Sequence, residues 1–211
     1  MLQTKIIKLI NTDTRIDEAV QKARTLYFEG QVFIYPTDTI YGLGGNPFND
    51  EVVGRINEIK GRSNDKKYIL LIGSIEQLQK YIELNSENHL DFLISIWPNP
   101  VSVVLKLNSK TRELLQSDTA AFRVPNSRFC LKLLNEIQMP LISTSVNRAN
   151  RESLLQPSVI EEEFGHEVEY MFFTKRKSYY VASTLIDLTG SEPVLLREGK
   201  IQFDDIIKKF R

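Results

Sequence analysis

The run Tyr68-Ile69-Leu70-Leu71-Ile72 has no polar side to turn toward water. A strand with that pattern is covered on both faces, the situation of a sheet held between layers of helices. The flanking pattern agrees. Residues 14–29 read as a helix: Thr14 can cap it, Ile16, Ala19, Val20, Ala23, Leu26 and Tyr27 recur at helical spacing, and Gly30 stops it. A strand follows at 31–35, then a helix at about 49–60 that buries Val52, Val53, Ile56 and Ile59 behind Asn49 or Asp50. Ser74-Ile75-Glu76-Gln77 has the form of a capping box. Strands are expected at 101–107, 120–124, 140–144, 184–188 and 193–196, with an amphipathic helix at 127–137 and a closing helix near 203–210. Alternating strands and helices define an α/β domain. Strand pairs without helices between them, at 101–124 and 184–196, predict a mixed rather than all-parallel sheet.

Composition bounds what such a domain can do. At 211 residues the chain is expected to be a single domain over 1–211, large enough for a substantial core. Lys plus Arg and Asp plus Glu balance at 27 each, so any surface for nucleic acid must be a local patch. Cys130 is the only cysteine, which excludes an internal disulfide and a thiolate zinc site; His89 and His166 have no ligand spacing, so no protein-bound metal is expected. The start, Met1 to Lys5, reads as a short strand rather than a signal peptide, and no apolar run approaches bilayer length. The expectation is a cytoplasmic protein without membrane contact.

The polar residues cluster at the ends of these elements. Tyr35-Pro36-Thr37-Asp38-Thr39-Ile40-Tyr41-Gly42-Leu43-Gly44-Gly45 sets hydroxyls and a carboxylate after a buried strand, then glycines that allow backbone to approach a ligand. It is neither a Walker loop nor a dinucleotide fingerprint; a plain glycine-rich turn is the competing reading. Lys60-Gly61-Arg62-Ser63-Asn64-Asp65-Lys66-Lys67 gathers cations past a helix end, which suits either an anion or the helix dipole and solvent. Ser143-Thr144-Ser145-Val146-Asn147 lies beyond an apolar strand, where open α/β sheets bind ligands, although such runs also form self-satisfied turns. Arg123 within Ala120 to Pro125 either snorkels at an edge or meets an anion. Ser183-Thr184-Leu185-Ile186-Asp187 and Leu195-Leu196-Arg197-Glu198-Gly199 again put hydroxyls and an arginine at strand ends. Together they describe a site of hydroxyls and cations with no catalytic cysteine, histidine dyad or metal cage.

In order along the chain, these blocks resemble the YrdC family of threonylcarbamoyl-AMP synthases. Pro36 to Gly44 is similar to its Pro-Thr-Glu/Asp-Thr-x-Tyr-Gly-Leu signature, Lys60-Gly61-Arg62 to its Lys-x-Arg motif and Ser145-Val146-Asn147 to its Ser-x-Asn motif. Trp97-Pro98-Asn99-Pro100, Arg123-Val124-Pro125, Ser183-Thr184-x-x-Asp187 and Leu196-Arg197-Glu198-Gly199 match further blocks. The resemblance implies a twisted mixed sheet flanked by helices, with a large concave positive cavity. It implies synthesis of threonylcarbamoyl-adenylate from L-threonine, bicarbonate and ATP, with pyrophosphate released and Mg²⁺ carried on the ATP. The product would pass to a tRNA threonylcarbamoyl transferase machinery. By the same resemblance Thr37, Arg123, Ser143 and Ser183 would contact threonine, and Arg62, Lys66, Thr119, Ser145, Arg151 and Arg197 would contact ATP. Lys60, Arg62, Ser145 and Asn147 would form the catalytic motifs.

The chain departs from the family pattern at several positions. Ser63 replaces a frequent proline, Lys67-Tyr68 a proline-leucine pair, and Leu71 a histidine found in some members. Val146 replaces the usual alanine, and Arg148-Ala149-Asn150-Arg151 lacks the customary Ser-Gly. Its length resembles the single-domain form. The resemblance also implies an alternative, a double-stranded RNA-binding or ribosome-associated translation factor that uses the same basic cavity, with double-stranded RNA or tRNA as its partner. A paralogue with a changed reaction is disfavoured by the intact Lys60/Arg62 and Ser145/Asn147 motifs.

Overall fold

The computed structural model describes residues 7–61, 68–84, 86–176 and 181–210. Arg62, Ser63, Lys66 and Lys67, and the strand expected at Met1 to Lys5, lie outside the described residues. The described chain runs β1 (Lys8–Asn11), α1 (Ile16–Phe28), β2 (Phe33–Tyr35), β3 (Gly42–Gly44), α2 (Asp50–Lys60), β4 (Ile69–Leu71), α3 (Ile75–Leu78), α4 (Glu87–Ile96), β5 (Val101–Lys106), α5 (Ser109–Leu115), β6 (Thr119–Arg123), α6 (Arg128–Ile137), β7 (Leu141–Ser145), α7 (Pro157–Phe164), β8 (Tyr170–Phe173), β9 (Thr184–Asp187), β10 (Val194–Arg197) and α8 (Phe203–Ile207).

The strands form one ten-stranded sheet in the order β1-β8-β2-β3-β7-β4-β6-β5-β9-β10. Neighbours are parallel at β1/β8, β2/β8, β4/β6 and β5/β9, and antiparallel at the other junctions. The mixed sheet expected from the strand pairs is therefore present. Two apolar clusters cover its faces. Leu70 and Ile34 belong to one with α2 and α4, while Leu71, Phe33 and Tyr35 belong to the other with α1 and α6. Alternate residues of a strand point to opposite faces, so the polar-free run at 69–71 feeds both. Tyr68 and Ile69 are only half-buried, because a cavity rather than a helix meets them.

Local chemistry sets most element ends. Asn49 caps α2, its side-chain Oδ1 accepting from Glu51 and Val52 N–H groups, and Gly61 ends it at φ 62°. Ser74 accepts from Gln77 N–H as the capping box predicts, and the Gln77 amide oxygen closes back on Gly73 N–H. Thr14 does not cap α1: Arg15 is the cap residue, without a side-chain bond, and its N–H is already held by Asn11 O at 2.9 Å. A helix also stands where the 101–124 pair was expected to have none. Asn108 caps α5 through Thr111 N–H, but only Thr111 of that helix is buried, so no apolar periodicity announces it. The strands on either side still pair antiparallel. The amphipathic pattern of 127–137 rests on Phe129, Leu131, Leu133 and Leu134; Leu131 is half-buried, the other three are buried, and Cys130 and Ile137 are buried with them.

One glycine fixes how closely the site strands approach. A Cβ on Gly44 would lie 1.8 Å from Ile142 O, so any larger residue would push β3 away from β7 and displace the adjoining Ser143.

Candidate functional site

A cavity of about 480 Å³ opens on the sheet where the loops after β2 and β7 meet the starts of β4 and β9. Arg123 enters it from the end of β6, Ser143 and Ser145 from β7, Ser183 from the residue before β9, and Arg197 from the end of β10. Five sequence-expected residues thus line one space although they come from separate segments. Thr39, Tyr41, Tyr68, Thr144 and Ser153 complete much of its polar wall.

Arg123 is the centre of this wall. It is 3% exposed. One terminal nitrogen donates to Thr39 Oγ1 at 3.1 Å, and the other faces Asp38 Oδ1 at 3.4 Å. Its Nε finds no hydrogen-bond partner among the described residues. A buried donor left open in this way costs stability unless something meets it. Asp38 is held in turn: Oδ2 accepts from Asn126 N–H at 3.1 Å and its carbonyl from Lys200 Nζ at 3.1 Å. Arg197 donates to Ser183 O at 2.9 Å, and partial desolvation together with the nearby Arg123 charge lowers its pKa. Two guanidiniums thus work against each other across a cavity with a single carboxylate behind them. An anionic ligand relieves that repulsion.

The hydroxyls divide between wall and scaffold. Ser183 Oγ lies 2.9 Å from Ser102 Oγ, a residue wholly buried in β5. Thr37 stands outside the cavity lining. Its hydroxyl accepts Thr39 N–H at 3.0 Å, lies 2.9 Å from Thr39 Oγ1 and donates to Ile40 O at 2.7 Å. It therefore shapes the turn that presents Thr39. The sequence holds both threonines around Asp38, and only the turn geometry decides which faces the cavity. Ser102 carries no such signal, being one hydroxyl within an apolar strand.

Lys60 and the Ser145–Asn147 turn form a second cluster beside the cavity. Lys60 is 3% exposed, and its ammonium donates to Ser145 O at 2.6 Å, Asn147 O at 3.0 Å and Asn147 Oδ1 at 2.8 Å. An ammonium has three donors, and among the described residues this turn accepts from all three. Ser145 Oγ adds a bond to Asn147 Oδ1 at 2.5 Å, and the Asn147 amide donates to Arg151 O. Arg151 is exposed and lies outside the cavity lining. Thr119 borders a neighbouring hollow of about 610 Å³ that meets the first at Tyr68. Among the described residues no group of His, Cys, Asp or Glu could hold a metal ion, and no helix is long and apolar enough to cross a membrane.

Cys130 is buried in α6, where desolvation pushes its thiol up to about 12. At neutral pH it stays protonated and packs as a small apolar side chain.

The Sua5/YciO/YrdC family model, described as "Telomere recombination", matches residues 26–199. A threonylcarbamoyl-AMP synthase of Pyrococcus abyssi is 32% identical over 203 residues, 95% of this chain and 60% of the relative. One from Vibrio vulnificus is 30% identical over 175 residues, 81% of this chain and 93% of the relative. The chain therefore spans less than two thirds of the archaeal relative's length. Among solved structures, Sua5 of P. abyssi complexed with L-threonine superposes with a TM-score of 0.87 at 30% identity, covering 97% of this chain and 60% of that one. E. coli YciO, at 24% identity, shares the fold over the whole of both chains with a TM-score of 0.82.

Proposed function

The chain belongs to the Sua5/YciO/YrdC family, and from that premise we propose that it is a threonylcarbamoyl-AMP synthase, a nucleotidyltransferase that makes threonylcarbamoyl-adenylate from L-threonine, bicarbonate and ATP. The observation that carries the reading is the convergence of Arg123, Ser143 and Ser183 in one cavity, with the buried Arg123 guanidinium not fully paired among the described residues. A carboxylate of an amino acid suits that donor, and the serine hydroxyls suit its amine and hydroxyl. Arg197 and Ser145, on the same wall, suit phosphate oxygens.

The reaction needs no protein nucleophile. The threonine amine adds to bicarbonate and water is lost, giving an N-carboxylate. That oxygen attacks the α-phosphorus and pyrophosphate leaves. Each step brings anions together, so the protein's contribution is positioning and charge stabilisation. Mg²⁺ would arrive on the ATP phosphates, since the cavity wall offers hydroxyls and cations rather than a carboxylate cage. Arg62 and Lys66 are proposed for the phosphates with Thr119 and Arg151; Lys60 and Asn147 hold the turn that presents Ser145. Thr37 acts through Thr39. The product is proposed to serve tRNA modification, handed to a transferase that places it on adenosine.

Pyrophosphate release measured with ATP, Mg²⁺ and bicarbonate tests this. It is expected to depend on added L-threonine. Release that is indifferent to threonine overturns the reading.

A further inference from the structure

Arg148 follows the Ser145–Asn147 turn, where the family resemblance leads one to expect a serine-glycine pair after Asn147. Its guanidinium has five N–H donors, and partners from two flanking segments meet them. Ile59 O, in the last turn of α2, accepts from Nη1, and Glu167 Oε2 accepts from the same nitrogen at 3.1 Å. Glu167 Oε1 and Glu163 O accept from Nη2, the latter at 3.3 Å. Nε faces Glu163 Oε1 at 3.4 Å. Its Cζ lies 4.3 Å from the ring centroid of Phe164, which is wholly buried. Arg55 of α2 donates to Glu167 O at 3.0 Å and so ties the same acidic segment back to α2.

The neighbouring backbone makes the purpose of this grip specific. Ala149 N–H donates to Lys60 O at 2.7 Å, while Lys60 Nζ reaches Ser145 and Asn147 from the other side. Side chain and backbone thus cross between the end of α2 and the 145–149 turn in both directions. The carbonyls at a helix C-terminus lack intrahelical partners, and here Ile59 O and Lys60 O are spent on the turn. We infer that Arg148 is a positioning residue that locks the Ser145–Asn147 turn against the end of α2 and α7, and that its effect falls on nucleotide rather than on threonine. The inference rests on the proposed function only for which ligand meets Ser145. Arg123, Ser183 and Thr39 come from β6, the residue before β9 and the loop after β2, and of the proposed threonine contacts only Ser143 shares β7 with the turn, so the larger effect is expected on nucleotide.

The test compares R148K, R148A and E167Q with the unaltered chain, measuring KM for ATP, KM for threonine, melting temperature, and ATP·Mg²⁺ binding by calorimetry. Loss of the lock is expected to raise the ATP KM about 10-fold in R148A while the threonine KM stays within about 2-fold. Lysine keeps the charge but has neither the fork nor the plane, so R148K is expected to resemble R148A, with E167Q intermediate. Rescue by lysine, an unchanged ATP KM, or equal rises in both KM values would overturn the inference. R148K and E167Q serve where R148A fails to fold. If the unaltered chain releases no threonine-dependent pyrophosphate, the functional reading falls, and calorimetry with ATP·Mg²⁺ still decides whether Arg148 governs nucleotide binding.

Discussion

Lys60 and Arg123 are two buried cations with the same exposure and opposite fates. The Lys60 ammonium gives three hydrogen bonds to carbonyl and amide oxygens of one turn, and so spends them on the scaffold. Arg123 lines a cavity, shares its terminal nitrogens between Thr39 and Asp38, and leaves its buried Nε without a partner among the described residues. Burial alone therefore does not mark a ligand-binding charge. The difference lies in whether the protein itself completes the donor set. A completed set stabilises the fold, and an incomplete one is a standing cost that a substrate removes.

The largest test of this contrast is Arg123→Lys. The substitution keeps a charge beside Asp38 but removes the fork, and threonine-dependent pyrophosphate release is expected to fall about 100- to 1000-fold, or about 3–4 kcal/mol. The melting temperature should change little. A folded, fully active variant would place Arg123 with Lys60 among the scaffold cations and break the comparison.

Lys60→Met should do the reverse first. Its acceptors lose their donors inside the protein, at a cost of roughly 3 kcal/mol or more, which for a chain of this size lowers the melting temperature by about 6–12 °C. Thermal unfolding monitored by circular dichroism reads this directly. An unchanged midpoint would show that the ammonium is not holding the turn.

Ser183→Ala is expected to sharpen the division more gently. It removes a wall hydroxyl paired with buried Ser102, and the threonine KM should rise about 10-fold, near 1.4 kcal/mol, with the ATP KM unmoved. A shift in the ATP value alone would reassign the hydroxyl to the other substrate.

The smallest effect is expected at Cys130, a buried group with no cavity face. Cys130→Ala should leave turnover within about 2-fold. Because the folded thiol is pushed up to about 12 while an unfolded one titrates at its ordinary value, its contribution is complete below the unfolded pKa and is lost as pH rises toward 12. The unaltered chain should therefore lose more stability than Cys130→Ala between roughly pH 9 and 11. Equal losses would mean that this thiol does not govern that range.

How far the residues announced this arrangement varies with the length of the signal. Helices with a sustained apolar stripe, at 16–28, 50–60 and 128–137, are legible because burial repeats over several turns. The short helix at 109–115 buries only Thr111, and β3 is Gly42–Gly44, so neither leaves a pattern to read. In the site, Arg123 and Ser183 are legible as polar residues at the ends of apolar strands. The exchange of Thr37 for Thr39 at the wall is not, because it follows from a local turn in which one hydroxyl captures the backbone of the other. Lys60 was visible as a cation near a helix end, but whether its donors were free or taken depended on a turn 85 residues away in sequence.

The strand order has a consequence for the life of the molecule. Thr39 follows β2, Arg123 ends β6, Ser143 lies in β7 and Ser183 precedes β9, yet these strands are interleaved in the sheet with others from elsewhere in the chain. No short fragment carries the pocket, so a bound substrate ties together strands spread across most of the sheet rather than one corner of it. A ligand at about 100 times its Kd adds roughly 2.7 kcal/mol against unfolding. A substrate-bound copy is therefore expected to resist proteolysis better than an empty one.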